Sequence, residues 1–88
     1  MNKVDHFSVL LVEDEYYLRQ ALKHDIEAIG DPFVVAGEAT NGAEALEILK
    51  KEQVHVVITD IQMPVIDGLA LSKQIHLLYP EIVTVIIT

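Results

Sequence analysis

The chain has 88 residues, 51% of them hydrophobic, which suits a single compact domain spanning 1–88 and excludes several domains within this sequence. Fourteen acidic residues against six basic ones give a net charge of −8, so the chain lacks the positive surface needed to bind nucleic acid or an anionic membrane. The lack of cysteine excludes disulfides and thiolate metal sites, and no apolar run reaches the ~18 residues of a membrane span, so we expect a soluble, cytoplasmic protein.

The first segment of the chain predicts a buried strand followed by an amphipathic helix. A continuous apolar run at 8–12 is typical of a strand buried on both faces. Over 15–29 the apolar residues recur every three or four positions, which predicts a helix that is stopped by Gly30 and Pro32. On that helix we expect an apolar face made of Leu18, Leu22, Ile26 and Ile29, with Arg19, Lys23 and Glu27 turned away from it.

The rest of the chain repeats this alternation. Asn41 is a preferred N-cap residue, and Glu44, three positions on, can reach back as in a capping box. The helix that they begin is predicted to end at Lys51, a cation well placed at a helix C-terminus. The remaining predicted elements are strands at 33–39, 54–59 and 82–88 and a helix over 67–78 with Asp67 as its cap.

This order of elements predicts the fold class. Strands that alternate with helices of ten to fifteen residues form successive right-handed βαβ units. Such units build a parallel sheet with helices on both faces, so we expect an α/β fold with four strands and three helices.

Acidic residues follow two of the predicted strands. Glu13 and Asp14 come directly after the first strand, and Asp60 directly after the third. In an open parallel sheet, ligands bind outside the carboxyl ends of the strands, near the point where the strand order reverses, so these three side chains should converge. Three carboxylates in one crevice repel one another, and a divalent cation such as Mg²⁺ relieves that repulsion. Such a cation could hold a phosphoryl group against Asp60.

Each of these acids, taken alone, also has a purely structural interpretation. Asp14 and Asp67 could be only helix N-caps, since aspartate is a preferred cap. Glu13 and Asp60 could be only strand-end residues exposed to water. The convergence of acids at one edge of the sheet favours the functional interpretation.

Three segments carry a resemblance to a known family. They are LLVEDE at the first strand, GEATNGAEAL at the second strand and second helix, and ITDIQMPVIDG around Asp60. With these segments the chain resembles, from residue 8 to 88, the receiver domain of bacterial two-component response regulators. GEATNGAEAL and the third strand also resemble regulators that carry an AraC-type DNA-binding domain.

The resemblance implies a signalling function and a set of site residues. Asp60 would accept a phosphoryl group from the phosphohistidine of a sensor histidine kinase and so switch an output. Asp14 and Asp60 would ligate Mg²⁺ through their side chains. Gln62 would contribute its backbone carbonyl, and Glu13, a glutamate where many relatives have aspartate, would act directly or through water. Thr88 takes the position of the hydroxyl that, in the family, bonds the phosphoryl oxygen.

The resemblance also implies a flavodoxin-like, doubly wound sheet of strand order 2-1-3-4, incomplete after the fourth strand. The family's last helix, strand and helix would be missing, together with the lysine that usually ends the fifth strand, so we expect slow phosphorylation. With the edge of the strand at 82–88 unpaired, we expect the chain to self-associate through that edge, to swap elements with another copy, or to fold poorly. In the full-length protein a C-terminal DNA-binding output domain is expected. The domain would be a phospho-acceptor and not a turnover enzyme, although able to take phosphoryl groups from small donors and to dephosphorylate itself.

Two other functions fit part of the sequence. A Mg²⁺-dependent phosphohydrolase of the haloacid dehalogenase type also uses an aspartate nucleophile at a strand end, but it needs a second aspartate two residues later, where this chain has Gln62. A non-phosphorylated interaction or scaffold module would be compatible with the missing C-terminal portion. The presence of the acidic cluster together with Thr88 argues against the scaffold.

Overall fold

The computed structural model describes residues 6–87 as a four-stranded parallel sheet with three helices. The strand order is β2-β1-β3-β4, which confirms the predicted order. Along the chain the elements are β1 (Phe7–Val12), α1 (Tyr16–Ile29), β2 (Phe33–Ala39), α2 (Gly42–Lys51), β3 (Val56–Asp60), α3 (Gly68–Leu78) and β4 (Val83–Ile87).

The predicted boundaries differ from the structure mainly at β3, which was expected at 54–59. The strand starts at Val56, although the backbone of His55 is already bonded to both neighbouring strands: its N–H donates to the Ser8 carbonyl over 2.9 Å, and its carbonyl accepts from the Val83 N–H over 3.0 Å. At the other end Asp60 is itself paired, opposite Ile87 of β4. The acid expected just beyond the strand is therefore its last residue.

The core lies around β1, the central strand at the amino-terminal end of the chain. All of Val9–Val12 is at most 1% exposed, which confirms a strand buried on both faces. Alternate residues point to opposite faces of the sheet. One face packs against α2 and α3, while α1 packs against β1 and β2. The buried cluster under α2 and α3 consists of Leu10, Val12, Ala39, Ala45, Leu49, Val54, Val57, Met63, Leu71 and Ile75.

The helices α2 and α3 begin at the predicted caps. The Asn41 carboxamide oxygen accepts from the Glu44 N–H over 2.8 Å, and the Glu44 carboxylate accepts from the Thr40 N–H over 2.8 Å. The Asp67 carboxylate accepts from the Ala70 N–H over 2.8 Å. Because both caps follow strands, they fix the direction in which the chain leaves the carboxyl edge of the sheet. None of the helices within 6–87 is long and apolar enough to cross a membrane.

The orientation of α1 agrees with the prediction only in part: Leu22 and Ile26 are half-buried, as expected. Leu18 and Ile29, expected on the buried face, are 44% and 64% exposed, and α1 has no fully buried residue. Arg19, expected to turn away, has a side chain that is only 11% exposed. The apolar periodicity missed the burial of Arg19, because a backbone carbonyl just after β1 and a carboxylate on β2 accept hydrogen bonds from its side chain.

Candidate functional site

The acidic residues at the ends of β1 and β3 meet at the carboxyl edge of the sheet. One carboxylate oxygen from each of Glu13, Asp14 and Asp60 lies within 4.8 Å of the other two. The two strands are direct neighbours, with Val12 paired to Thr59, so the residue after each pair falls at the same level of the edge. The predicted convergence of the three acids is therefore found in the structure.

Glu13 is the buried member of this cluster. Glu13 is 1% exposed. Its backbone N–H donates to the Ala39 carbonyl over 3.0 Å, which holds Glu13 against β2. The Oε2 atom accepts from the Glu15 N–H over 3.0 Å. The Oε1 atom is buried and has no hydrogen-bond partner among the described residues. A carboxylate oxygen in that state is costly unless a proton or a cation is bound to it.

The surroundings of Glu13 raise the pKa of its carboxyl group. Burial is the largest cause, because it penalises the charged form. The hydrogen bond from the Glu15 N–H works in the opposite direction. The neighbouring carboxylates of Asp14 and Asp60 add to the increase. Because Glu13 is buried, it is not a strand-end residue exposed to water, which was its purely structural interpretation.

Asp14 is exposed and does not cap α1. The N-cap position is taken by Glu15, whose side chain makes no capping bond. The oxygen that satisfies the free N–H of Glu15 comes from Glu13 instead. The side chain of Asp14 is thereby left to face the acidic cluster.

Asp60 lies half-buried at the mouth of the cluster, followed by a loop that folds back on it. The Oδ1 atom of Asp60 accepts from the Gln62 N–H over 3.3 Å. The Ile61 N–H donates to the Ile87 carbonyl over 3.0 Å, and the Ile61 carbonyl accepts from the Gly68 N–H over 2.9 Å. These hydrogen bonds hold the two ends of the loop at 61–67 close to the end of β3, which carries Asp60.

Two neighbours of Asp60 support the loop from below. Thr59 is completely buried, and its hydroxyl donates to the Asp60 carbonyl over 3.0 Å. The Thr59 hydroxyl oxygen also lies 3.8 Å from the sulfur of Met63, a residue that is 9% exposed and belongs to the core cluster. Sequence patterns gave no sign of the Thr59 contact, because a threonine in a strand needs no special explanation. A shallow open groove beside Asp60 is lined by Ile61, Gln62, Met63, Pro64 and Asp67.

The sequence-predicted site residues are only partly described. The structure brings together Glu13, Asp14 and Asp60, and it places Gln62 in contact with Asp60 through its N–H group. Thr88 lies outside the described residues. Asp67 is the N-cap of α3, as its structural interpretation proposed.

Comparison with known proteins identifies one family. Residues 9–88 match the model of the family described as the response regulator receiver domain. The chain is 44% identical over 78 residues to protein-glutamate methylesterase/protein-glutamine glutaminase 3 of Hahella chejuensis, and 41% identical over 73 residues to chemotaxis protein CheY of Thermotoga maritima. Those alignments cover 89% and 83% of this chain.

Solved structures agree with the sequence comparison. The crystal structure of the non-phosphorylated receiver domain of the stress response regulator RcsB from Escherichia coli superposes with a TM-score of 0.84 at 27% identity. That superposition covers 94% of this chain and 65% of the RcsB chain. This chain spans 22% of the length of the methylesterase and 59% of that of CheY.

Proposed function

Because the chain belongs to the response regulator receiver domain family, we propose that Asp60 accepts a phosphoryl group from the phosphohistidine of a sensor histidine kinase. The observation that carries this proposal is the cluster of Glu13, Asp14 and Asp60 within 4.8 Å at the carboxyl edge of the sheet. A half-buried carboxylate at a strand end, beside an open groove, is accessible to an incoming phosphoryl group.

The proposed step is a direct transfer between two side chains. A carboxylate oxygen of Asp60 forms a bond to phosphorus while the phosphorus–nitrogen bond of the kinase histidine breaks. The electron pair of the broken bond returns to the imidazole, which takes a proton from water and leaves neutral. Such a transfer needs mainly in-line positioning and neutralisation of charge, and a carboxylate is a competent nucleophile for it.

The donor set fits a Mg²⁺ ion. The Oε1 of Glu13 is buried and unpartnered among the described residues, the pKa of that group is raised, and no described lysine or arginine forms an ion pair with the three carboxylates, all of which fit a bound cation. Mg²⁺ prefers carboxylate and carbonyl oxygens. In this proposal Glu13, Asp14 and Asp60 hold the ion through side chains, directly or through water, and Gln62 contributes its backbone carbonyl. When bound, the ion supplies the positive charge that the phosphoryl oxygens and the three carboxylates lack.

The chain's own groups keep Asp60 in place for this step. The Gln62 N–H donates to the Asp60 carboxylate, and the Thr59 hydroxyl donates to the Asp60 carbonyl. Phosphorylation would add roughly −1.5 to −2 charges at this edge, enough to recruit a hydroxyl and shift a two-state surface. Thr88 is the hydroxyl that we assign to this role.

The protein is proposed to work with other parts and partners. We place it in the cytoplasm, where it would receive its phosphoryl group from a histidine kinase and control transcription through a C-terminal DNA-binding domain of the AraC type. Slow phosphorylation from small donors and slow self-dephosphorylation would accompany this role. The relatives described above, a methylesterase/glutaminase and a chemotaxis protein, bear names of different activities.

The edge of β4 is proposed as a surface for self-association of this chain. Among the described strands β4 pairs only with β3, so its second row of backbone groups faces away from the sheet. Val83 and Val85 on it are 58% and 41% exposed. An apolar strand edge of this kind pairs readily with another chain.

The direct test is phosphorylation of the purified chain by a small phosphodonor. Incubation with phosphoramidate and Mg²⁺, followed by intact-mass spectrometry, should show one added phosphoryl group that hydroxylamine removes, as expected of an acyl phosphate. Asp60→Asn should abolish the product, whereas Asp25→Asn, which changes an exposed acid on α1, should leave it unchanged. Chelation of Mg²⁺ should also abolish it.

Other outcomes would select the other functions. Multiple turnover of a phosphomonoester with no stable phosphoprotein would support a phosphohydrolase. A folded chain that responds neither to Mg²⁺ nor to phosphodonor would support a scaffold, and the phospho-acceptor proposal would then be abandoned.

A further inference from the structure

Arg19 lies beneath the acidic cluster, on the first turn of α1. Its Nη1 atom donates to the backbone carbonyl oxygen of Glu13 over 2.9 Å. That oxygen belongs to the rigid peptide plane between Glu13 and Asp14. A hydrogen bond to it therefore restrains the backbone direction of both acids at once. The guanidinium makes this contact without occupying either carboxylate.

The guanidinium of Arg19 is itself held from the opposite side by β2. Its Nε atom donates to the Glu38 carboxylate over 3.0 Å, and Gln20 donates to the same oxygen over 2.6 Å. Lys23 lies 3.4 Å from the second oxygen of Glu38. The Tyr16 ring stands 5.6 Å from the Arg19 guanidinium carbon, a cation–π distance. These contacts fix the side chain, which is 11% exposed.

We propose that Arg19, braced by Glu38, is a positioning residue for the metal-binding pair Glu13 and Asp14. This inference rests on the function proposed above and adds a residue to it. Arg19 touches neither the phosphoryl group nor the ion; it acts through the Glu13 carbonyl. The planar guanidinium is suited to this role because it donates from two separated nitrogen atoms in one plane, which the compact ammonium of a lysine does not reproduce.

Charge and position predict opposite effects when Arg19 is removed. As a simple positive charge near the cluster, Arg19 repels a cation, so its loss would tighten Mg²⁺ binding. As a positioning group, its loss lets the Glu13–Asp14 peptide rotate and weakens binding. Changes to groups that orient metal ligands typically cost about tenfold or more in affinity. The sign of the change therefore separates the two roles.

The experiment is a Mg²⁺ titration followed by two-dimensional amide NMR on the labelled chain. Arg19→Ala and Glu38→Ala should each raise the Mg²⁺ dissociation constant about tenfold. The double variant should bind Mg²⁺ no more weakly than Arg19→Ala alone, because both changes break the same linkage. Arg19→Lys should not restore affinity. Lys50→Ala and Glu47→Ala, which break the exposed 2.8 Å pair on α2, are matched charge controls and should bind like the unchanged chain.

The metal-free spectra give a second, independent readout. Arg19→Ala and Arg19→Lys should move the amide resonance of Asp14, because its N–H shares the peptide plane that Arg19 holds. A folded Arg19→Ala chain that binds Mg²⁺ as tightly as, or more tightly than, the unchanged chain would overturn the inference, as would an unmoved Asp14 amide. If the unchanged chain binds no Mg²⁺, the proposed function fails, and the positioning of the Glu13–Asp14 peptide is then decided by the Asp14 amide alone.

Discussion

The Cα atom of Gly68 lies against the backbone of the strand end that carries Asp60. A Cβ atom at this position would overlap the Asp60 carbonyl oxygen and come within 2.8 Å of the Ile61 Cα. Because both obstacles are backbone atoms, no side-chain rotation can relieve the clash. The close approach also allows the Gly68 N–H to reach the Ile61 carbonyl at 2.9 Å.

We therefore expect Gly68→Ala to reduce the free energy of unfolding by about 3 kcal/mol and to displace Asp60. Urea denaturation measures the first effect, and the Mg²⁺ titration measures the second. Gly37→Ala is the matched control, because a Cβ there would meet only side-chain atoms, of Leu10 at 3.4 Å and of Ile48 at 3.7 Å. Equal stability of the two variants would contradict this account of the loop.

Val65 occupies the most strained backbone position among the described residues that carry a side chain. Its φ is +70°, and the Ile66 N–H donates to the Pro64 carbonyl over 2.9 Å, which closes a three-residue turn around it. A γ-turn with positive φ is rare and strained, and a β-branched side chain fits it poorly. The Val65 side chain is 94% exposed, so no burial offsets this strain.

Val65→Gly should consequently stabilise the chain by about 1 kcal/mol, the strain released less the extra backbone entropy of glycine. The same change at Val83, an exposed position in the regular strand β4, should destabilise it. Urea denaturation of both variants provides the comparison. A loss of stability in Val65→Gly would show that the turn is not strained.

At the level of the helices, Asp67 connects the Asp60 loop to α3. Its carboxylate caps the helix through the Ala70 N–H, and its carbonyl accepts the first helical bond from Leu71 over 2.9 Å. We expect Asp67→Ala to cost about 1 kcal/mol of stability and to leave Mg²⁺ affinity unchanged. Asp67→Ser, which retains a capping oxygen, should restore most of that stability. Loss of Mg²⁺ binding by a folded Asp67→Ala chain would instead identify this residue as part of the site.

The contact between α1 and β2 carries a pH dependence through Glu38. Burial on its own raises the pKa of Glu38, but hydrogen bonds from Arg19, Gln20 and Lys23 outweigh it, so the pKa lies below the ordinary value of 4.5. The folded state therefore favours the ionised form. Its contribution to stability is present above pH 4.5 and is lost as the pH falls through the lowered pKa in the folded state.

The free energy of unfolding should accordingly differ most between the unchanged chain and Glu38→Gln at neutral pH. The difference should shrink as the pH falls below about 4.5. Urea denaturation at a series of pH values measures it. In the Arg19→Ala background the same substitution should show a smaller pH dependence, and a difference that grows toward acid pH would contradict the assigned direction.

Sequence patterns predicted the elements and the local caps of α2 and α3 well, and the polar contacts between elements poorly. The order of strands and helices and the convergence of Glu13 with Asp60 follow from alternation and from acids at strand ends, both of which are local signals. The end of β3 at Asp60 depends on its pairing with Ile87, which hydropathy does not report. The burial of Arg19 depends on Glu38 and on a backbone carbonyl, and neither contributes to an apolar period.

For the molecule as a whole, β4 is the place where the sheet can extend. We expect the average mass of the 88-residue chain in sedimentation experiments to rise with concentration. Val85→Lys places a charge on the 41% exposed position of β4 and should reduce that rise, because charges on an edge strand oppose pairing. Tyr17→Lys makes the same change of charge at an 80% exposed position on α1 and should leave the rise in average mass unchanged. A chain that stays monomeric at high concentration would contradict this use of the edge.

Parallel pairing makes the acidic cluster depend on a contact between distant parts of the chain. More than half of the chain separates Asp14 from Asp60. The strands β1 and β3 are neighbours in the sheet, so their pairing closes a loop that contains α1, β2 and α2. Closing such long loops is slow compared with forming local turns. A chain that has assembled only β1, α1 and β2 holds Glu13 and Asp14 but lacks Asp60, the proposed acceptor, beside them. If the proposed function holds, chains in which β1 and β3 are not yet paired, including nascent ones, would not react with a phosphodonor, and only chains with this pairing could carry a signal.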